Sequence, residues 1–255
     1  MLHAKKSLGQ NFLMHARIAE RIALTAGLSK KSIAVEIGPG TGMLTRELLK
    51  LVKKVIAIEA DHELFEKLQD DFATEIADGR LELVSGDIRT FRIATLPKGY
   101  VLVANIPYYL TGEIFRMFLE AENQPAAMTL LVQKEVAERV ARSAKESILS
   151  LSVKAYGTPK YVFTVPRGAF RPAPKVDSAV LTICDISRKN FTSEEEERFF
   201  ELIRAGFAHK RKFVSSNLAG IVSEEALRAA GVNEGARAED LPLSGWLALC
   251  KGKQG

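Results

Sequence analysis

The chain has 255 residues, of which 47% are hydrophobic and 26% are charged. This is the composition of a globular protein with a sizeable core, and the length allows one α/β domain with a small appendage. The net charge of +5 is compatible with a polyanionic partner, although an ordinary basic protein carries it nearly as often.

What the sequence lacks disfavours several classes of protein. Cys184 and Cys250 are the only cysteines, which argues against a disulfide framework and fits a reducing compartment. The four histidines show no metal-binding spacing. No apolar run is long enough to span a membrane, and the first residues lack the apolar core of a signal peptide. We therefore expect a cytoplasmic monomer with no metal, no membrane association and no obligate protein partner.

Apolar runs alternate with helix-period segments through the first two thirds of the chain. Such alternation predicts right-handed crossovers and a mostly parallel sheet covered by helices on both faces. Strands are predicted at 33–37, 55–59, 81–85, 101–105 and 127–133, with helices at 43–51, 63–76, 111–122 and 134–141. A helix near 147–156 and strands at 161–165 and 179–186 follow, and the proline-rich segment 166–175 is predicted to be a loop.

After residue 186 the pattern becomes purely helical. Thr192 or Ser193, followed by four glutamates, predicts a capped helix start. Further helices are predicted at 211–219, 224–230 and 243–250. We divide the chain into a ligand-binding α/β domain of residues 1–187 and an all-helical domain of 188–255, which is too small to fold well alone.

A glycine-rich loop follows the first predicted strand. Gly38, Gly40 and Gly42 let the backbone turn tightly and approach a ligand closely. The dinucleotide-binding pattern needs its third glycine where this chain has Met43, and Pro39 lacks a backbone donor that a diphosphate would use. The loop therefore suits a nucleoside without phosphates better than a dinucleotide.

Acidic residues stand at the ends of the next two predicted strands. Glu59 can accept hydrogen bonds from both hydroxyls of a ribose, and Asp87 can accept from an adenine amino group while Ile88 packs on the ring. Each feature alone is weak, because strand-end acids often cap helices. Together with the glycine loop they lie at successive strand ends, where doubly wound sheets bind ligands. These features predict S-adenosylmethionine as the cofactor.

The segment Asn105-Ile106-Pro107-Tyr108-Tyr109 follows the fourth predicted strand. A carboxamide, a rigid turn and an aromatic ring at a strand end suit the binding of a flat ring that bears an amino group. Adenine is such a ring, so the segment predicts both the substrate and the atom that reacts.

With these segments combined, the chain resembles the ribosomal RNA adenine N6-dimethyltransferases over essentially its whole length, and most of all their bacterial small-subunit branch. Ile106 is more usual in the large-subunit enzymes that confer macrolide resistance, whereas Thr41 and Tyr109 favour the small-subunit branch. The resemblance is carried by residues 7–13, 36–42, 86–87, 105–109, 170–178 and 207–218.

The resemblance implies a Rossmann-like methyltransferase fold and transfer of methyl groups to N6 of two adjacent adenosines. These lie in a hairpin loop near the 3′ end of small-subunit (16S) ribosomal RNA, so the expected partner is this RNA or the immature 30S subunit. A role in small-subunit biogenesis is also implied. By motif, the cofactor contacts are Asn11, Leu13, Gly38, Gly40, Glu59, Asp87 and Asn105.

The nucleophilicity of N6 is low, because its lone pair is delocalised into the ring. Asn105 would accept from N6–H, the carbonyl of Ile106 or Pro107 would accept the other proton, and Tyr108 would stack on the base. Phe170 is a candidate lid on the opposite face of the base, although a buried core aromatic is nearly as plausible an interpretation. The adenine must be flipped out or lie in a loop, as RNA readers require.

Basic residues should bind the RNA backbone. A run of lysines and arginines is usually just a solvated helix face, but next to an RNA-modifying site we weight RNA contact above that alternative. The candidates are Lys210, Arg211, Lys212, Arg171 and Lys175, with Lys5 and Lys6 near the start of the chain.

Three other functions stay open at this point. A DNA adenine N6-methyltransferase shares an Asn/Asp-Pro-Pro-Tyr type motif, but this chain has Ile106 and no large target-recognition insert. A large-subunit ribosomal RNA enzyme is the second. The third is a ribosome-assembly factor that kept the fold without the chemistry, against which the intact Glu59, Asp87 and Asn105 argue.

Overall fold

The computed structural model describes Lys5 and residues 9–251. The described residues form two compact units, of which the first contains residues up to 137 with 160–186. The second contains residues 138–159 and the described residues from 187 onward. The sequence-based division placed 138–159 in the first domain, and the structure groups them with the helical residues instead. The limits of independently folding domains stay a prediction.

The strands and helices follow the predicted alternation. The strands are β1 Phe12–Leu13, β2 Ile33–Ile37, β3 Lys54–Glu59, β4 Leu81–Ser85, β5 Val101–Asn105, β6 Ala127–Gln133, β7 Thr158–Val165, β8 Phe170–Arg171 and β9 Ser178–Cys184. The helices are α1 Ala16–Thr25, α2 Met43–Leu51, α3 His62–Asp71, α4 Ala73–Ala77, α5 Thr111–Leu119, α6 Lys134–Ala141, α7 Ile148–Tyr156, α8 Ser193–Gly206, α9 Val214–Asn217, α10 Glu224–Ala229 and α11 Leu243–Lys251.

A seven-stranded sheet confirms the predicted α/β class. Its order is β4-β3-β2-β5-β6-β9-β7. The pairs from β4 to β6 are parallel, and β9 runs antiparallel to β6. From β2, the strands β3 and β4 extend the sheet in one direction. The chain then returns to the other side of β2, where β5 and β6 extend it in the opposite direction. Ligands of such sheets bind in the crevice that this reversal opens at the carboxyl ends of the central strands.

The central strands are buried on both faces, which is why they read as continuous apolar runs. In β5, Leu102, Val103 and Ala104 are fully buried, and in β2 the same is true of Ala34 and Val35. Because β2, β3, β4 and β5 pair in parallel, their carboxyl ends lie on the same side. The residues that follow these strands are therefore brought to one edge of the sheet.

A small second sheet corrects the prediction that 166–175 is only a loop. Strand β8 lies in that segment and pairs antiparallel with β1, which sets Leu13 opposite Phe170 and Phe12 opposite Arg171. The pairing is long-range and only two residues deep, so local sequence carries little signal for it.

The helical unit packs around aromatic side chains. Phe207 and Trp246 stack with ring centroids 5.9 Å apart, and Trp246 is fully buried with its indole N–H donating to the carbonyl of Leu241. Residues 138–159 belong here because α7 packs against α8 and α11. The predicted capped start of α8 is confirmed, since the Thr192 side chain accepts from the backbone N–H of Glu195.

The main differences between the predicted helices and the structure lie in three regions. Helix α1 was not predicted at all. The predicted helix 63–76 is divided at Phe72, whose ring is buried against Gly42 from the glycine loop. The predicted helix 211–219 is reduced to α9, because residues 209–212 form a turn closed by the Lys212 N–H and the His209 carbonyl at 3.0 Å.

Candidate active site

A pocket of about 120 Å³ opens at the carboxyl ends of β2, β3, β4 and β5, at the point where the strand order reverses. Its wall combines the glycine loop, the ends of these strands and the N-terminal segment 9–13. All predicted cofactor residues line it: Asn11, Leu13, Gly38, Gly40, Glu59, Asp87 and Asn105.

The glycine loop adopts a backbone that side chains disfavour. Gly38 and Gly40 have φ values of 64° and 60°, in the left-handed region. A Cβ at Gly38 would meet no atom within 4 Å, whereas one at Gly40 would lie 3.1 Å from the ring of Phe12. The loop therefore keeps its floor free of side chains and draws the N-terminal segment close to it.

Glu59 ends β3 and is 5% exposed. Its oxygens accept from the backbone N–H of Gly40 at 3.0 Å and of Asp61 at 2.9 Å. Burial raises the pKa of Glu59, and these two hydrogen bonds only partly offset it. Each oxygen keeps a further lone pair, so the group can accept two ligand hydroxyls.

Asp87 follows β4, but its carboxylate is already occupied. Its side chain accepts from the Arg89 backbone N–H at 2.9 Å and forms a salt bridge with the Arg89 guanidinium at 2.5 Å. The hydrogen bond with Arg89 lowers the pKa of Asp87. To accept from an adenine amino group, Asp87 must therefore release part of its contact with Arg89.

Asn105 ends β5 and ties the motif to the N-terminal segment. Its amide Nδ2 donates to the carbonyl of Asn11 at 3.0 Å, and no bond to its Oδ1 occurs among the described residues. The oxygen is thus the part of the carboxamide that can accept from a substrate. Pro107, the next predicted catalytic residue, accepts from the Leu110 N–H at 2.9 Å in the turn that follows.

Tyr108 is partly buried at the pocket wall. Its hydroxyl lies 2.6 Å from Oγ of the fully buried Ser178 on β9, and burial raises the pKa of the phenol. Tyr108 is therefore neutral, and its hydrogen bond to Ser178 fixes the hydroxyl end of the side chain. Tyr109, by contrast, is 58% exposed and packs against Gly9.

Two acidic residues of the site were missed by sequence reasoning. Glu36 lies within β2 at 1% exposure, its carboxylate accepts from the Thr45 hydroxyl at 2.7 Å, and burial raises its pKa to about 8. The sequence signal that could have identified Glu36 is an acidic residue within an otherwise apolar strand. Asp61 binds Lys5 at 2.8 Å and Gln10 at 2.9 Å, which anchors the N-terminal segment beside Glu59. No local pattern indicates that contact.

Phe170 is not brought to the pocket. The ring is 2% exposed, lies in the apolar core with Leu13 and Val165, and does not line the cavity. The structure therefore places it as a core aromatic rather than as the predicted lid, because strand pairing with β1 turns it inward.

The basic residues are exposed where the structure describes them. Arg171 and Lys175 are exposed in the first unit. Lys210, Arg211 and Lys212 are exposed in the helical unit, within residues 209–213, which we call the basic turn. Lys5 forms a salt bridge with Asp61 at 2.8 Å, and its contact with RNA stays a prediction. Lys6 lies outside the described residues.

Neither a cluster of metal ligands nor a membrane-spanning helix occurs among the described residues. No group of three or more histidine, cysteine, aspartate or glutamate side chains in the described part of the chain could hold a metal ion. Of the helices formed by residues 9–251, none combines the length and the hydrophobicity needed to cross a membrane.

Comparison with known proteins identifies similar sequences. A family model described as ribosomal RNA adenine dimethylase matches residues 1–254. A protein of Dehalococcoides mccartyi called ribosomal RNA small subunit methyltransferase A is 40% identical over 98% of this chain and 88% of its own length. The protein of that name in Deinococcus radiodurans is 38% identical over 97% of this chain and 85% of its own.

Two solved structures have a fold similar to that of this chain. The 23S ribosomal RNA methyltransferase ErmE superposes with a TM-score of 0.79 at 28% identity, covering 94% of this chain and 98% of ErmE. A dimethyladenosine transferase from Plasmodium falciparum gives a TM-score of 0.78 at 26% identity, covering 93% and 95% of the two chains. These likenesses extend over both units of the chain.

Proposed function

Because this chain belongs to the ribosomal RNA adenine dimethylase family, we propose that it methylates N6 of two adjacent adenosines in a loop near the 3′ end of small-subunit ribosomal RNA. It is an S-adenosylmethionine-dependent methyltransferase with a ribosomal RNA substrate. The proposal rests chiefly on Asn105, which lines a nucleoside-type pocket and whose carboxamide oxygen has no hydrogen-bond partner among the described residues.

The pocket fits S-adenosylmethionine on its own geometry. Glu59 offers acceptors for the ribose hydroxyls, the floor at Gly38 carries no side chain, and Ile88 lines the wall beside Asp87. When bound, the cofactor supplies an electrophilic methyl group on a sulfonium whose leaving group is a neutral thioether. No acid is needed to protonate that leaving group.

The protein's own contribution is alignment and charge stabilisation. The Oδ1 atom of Asn105 accepts from N6–H, and a second acceptor is the backbone carbonyl of Ile106 or Pro107. Two acceptors draw N6 toward a tetrahedral shape and localise its lone pair. The ring of Tyr108 stacks on the adenine and stabilises the positive charge that develops on N6. The proton leaves N6 after transfer, when the methylated nitrogen is acidic.

Substrate binding requires an unpaired adenine. Stacking of one base on an aromatic side chain contributes about 1–3 kcal/mol, which offsets much of the cost of unstacking it from RNA. Residues 210–212, Arg171 and Lys175 are proposed to contact the phosphates. Their side chains are exposed, as a salt-sensitive contact requires.

A transfer assay tests the proposal. The protein is incubated with S-adenosylmethionine labelled on the methyl group and, in parallel, with unmethylated small subunits, large-subunit RNA and duplex DNA. We expect label in the small subunits. Label only in DNA or large-subunit RNA, or no label at all, would contradict the proposal.

The large-subunit function is the second candidate, because Ile106 and the likeness to ErmE both point to it. The small-subunit relatives share more of the sequence, at 38–40% identity against 28%. The large-subunit arm of the same assay decides between the two candidates.

A further inference from the structure

The basic turn has a backbone that is fixed from inside the helical unit. The side chain of Asn217 donates to the carbonyl of Gly206 at 2.6 Å and to that of His209 at 3.2 Å. Immediately after the turn, Val214 is fully buried and its N–H donates to the carbonyl of Ala236 at 2.8 Å. The turn is therefore a rigid support rather than a loosely attached loop.

On this support, Phe213 points its ring into solvent. It is 48% exposed, although the next residue, Val214, is fully buried. Arg21 lies over Phe163 and Arg46 over Phe72, whereas no cation–ring or ring–ring contact of Phe213 occurs among the described residues. The exposed part of the Phe213 ring therefore faces solvent.

The surroundings of Phe213 are strongly positive. Residues 209–212 read His-Lys-Arg-Lys and all four are exposed. An exposed aromatic ring next to three cations is complementary to a polyanion that also carries flat apolar rings. Single-stranded nucleic acid has that chemistry, because its phosphates meet the cations and its unpaired bases can stack.

We propose that Phe213 is a stacking platform for one unpaired base of the RNA substrate, distinct from the adenine that is methylated. The inference rests on the proposed function, since it assumes an RNA partner. The cations of the basic turn bind the backbone without regard to pairing, and Phe213 adds a preference for single-stranded segments, because bases in a duplex do not offer a free face.

The test measures binding of a labelled single-stranded RNA and of the fully paired duplex with the same sequence, at several salt concentrations. Phe213→Ala and Phe213→Leu should weaken single-strand binding by about fivefold or more, the lower limit for loss of one base–aromatic stack. Phe213→Tyr should retain the wild-type affinity. Duplex binding and the salt dependence should be unchanged in all three variants.

Leu24→Ala is the matched control, because Leu24 is a 61% exposed apolar side chain elsewhere on the surface. It should leave both affinities unchanged. Equal single-strand affinity for wild type and Phe213→Ala, or full retention in Phe213→Leu, would overturn the stacking role while leaving the proposed function intact. If the wild-type protein bound neither RNA, the stacking inference would be overturned, whereas label transferred to small subunits in the assay above would leave the proposed function standing.

Discussion

The pocket at the carboxyl edge and the basic turn present their functional groups in opposite ways. In the pocket, Glu59 is 5% exposed and accepts two backbone N–H groups, so its position is set by the fold. In the basic turn the backbone is fixed, but Lys210 and its neighbours are exposed. The pocket suits a small ligand that is bound by a few fixed groups. The basic turn suits a long polyanion that contacts several exposed charges.

This difference predicts how substitutions act. A change in the pocket removes a contact that nothing else replaces, because groups such as Glu59 are buried and held in place by backbone hydrogen bonds. A change in the turn removes one charge of several, and solvent screens the remainder. Pocket variants should therefore show large and specific losses, and turn variants small and additive ones.

The largest effect is expected for Asn105→Ala. It removes both the proposed acceptor for N6–H and the hydrogen bond to the Asn11 carbonyl. We expect methyl transfer to fall by about 100-fold or more, the scale for loss of one preorganised hydrogen bond in a transition state. Transfer of label to small subunits measures it. Asn123→Ala is the control, because Asn123 binds the Leu96 carbonyl outside the pocket and should retain activity.

Glu59→Ala should act on the cofactor rather than on the RNA. Loss of hydrogen bonds to a charged acceptor should weaken cofactor binding by about 10- to 100-fold. Calorimetric titration measures the affinity, and circular dichroism checks the fold. Glu82→Ala serves for comparison, since Glu82 pairs with Lys54 on the surface. Unchanged affinity in Glu59→Ala would remove Glu59 from the site.

Asp61→Ala should have an intermediate effect through the N-terminal segment. The hydrogen bonds from Lys5 and Gln10 lower the pKa of Asp61 although burial acts to raise it, so the carboxylate is ionised at neutral pH. Without it, segment 9–13 loses an anchor, and we expect cofactor affinity to fall by about fivefold. Asp71→Ala, which removes a carboxylate that pairs with Lys67 instead, should leave the affinity unchanged.

Lys210→Gln tests the small effect expected for substitutions in the basic turn. We expect the slope of log K against log salt for RNA binding to decrease by about 0.7–0.9, as for one phosphate contact. Cofactor affinity should not change. Lys98→Gln, an exposed lysine of the first unit, is the control. An unaltered slope in Lys210→Gln would exclude Lys210 from the RNA contact.

Glu36→Gln should change how the free energy of unfolding depends on pH, and it should affect methyl transfer less. Burial raises the pKa of Glu36 to about 8 in the folded protein, against an unperturbed value of about 4.3. The folded state therefore holds a proton that the unfolded state has lost, and stability decreases as pH rises through this window. The glutamine variant should lose that decrease in denaturant titrations, whereas the exposed Glu66→Gln should keep it. A wild-type slope in Glu36→Gln would contradict a protonated Glu36.

The sheet and the cofactor pocket could be predicted from sequence because both depend on local patterns. Buried parallel strands are continuous apolar runs, so β2, β4, β5 and β6 begin and end where predicted. The glycine loop, Glu59 and Asn105 each follow directly from a strand end. Once the strands are placed in parallel, these residues must meet at one edge.

What could not be predicted depends on contacts between distant segments. The pairing of β1 with β8 turns Phe170 into the core, and packing of Phe72 on Gly42 divides α3 from α4. The salt bridge from Lys5 to Asp61 joins residues far apart in the chain. Residues 211–213 of the basic turn were predicted as helix, because the sequence does not reveal that Asn217 binds the carbonyl of His209.

The central claim is that the carboxyl-edge pocket presents one adenine N6 at a time to the methyl donor and accepts the same nitrogen twice. The most direct measurement is mass spectrometry of oligonucleotide fragments of small-subunit RNA after reaction with the protein, with nucleoside analysis to identify the methylated atom. We predict N6,N6-dimethyladenosine at two adjacent positions near the 3′ end, and its loss with Asn105→Ala. Methylation of another base or of another atom of adenine, or dimethylation that persists in Asn105→Ala, would contradict the claim.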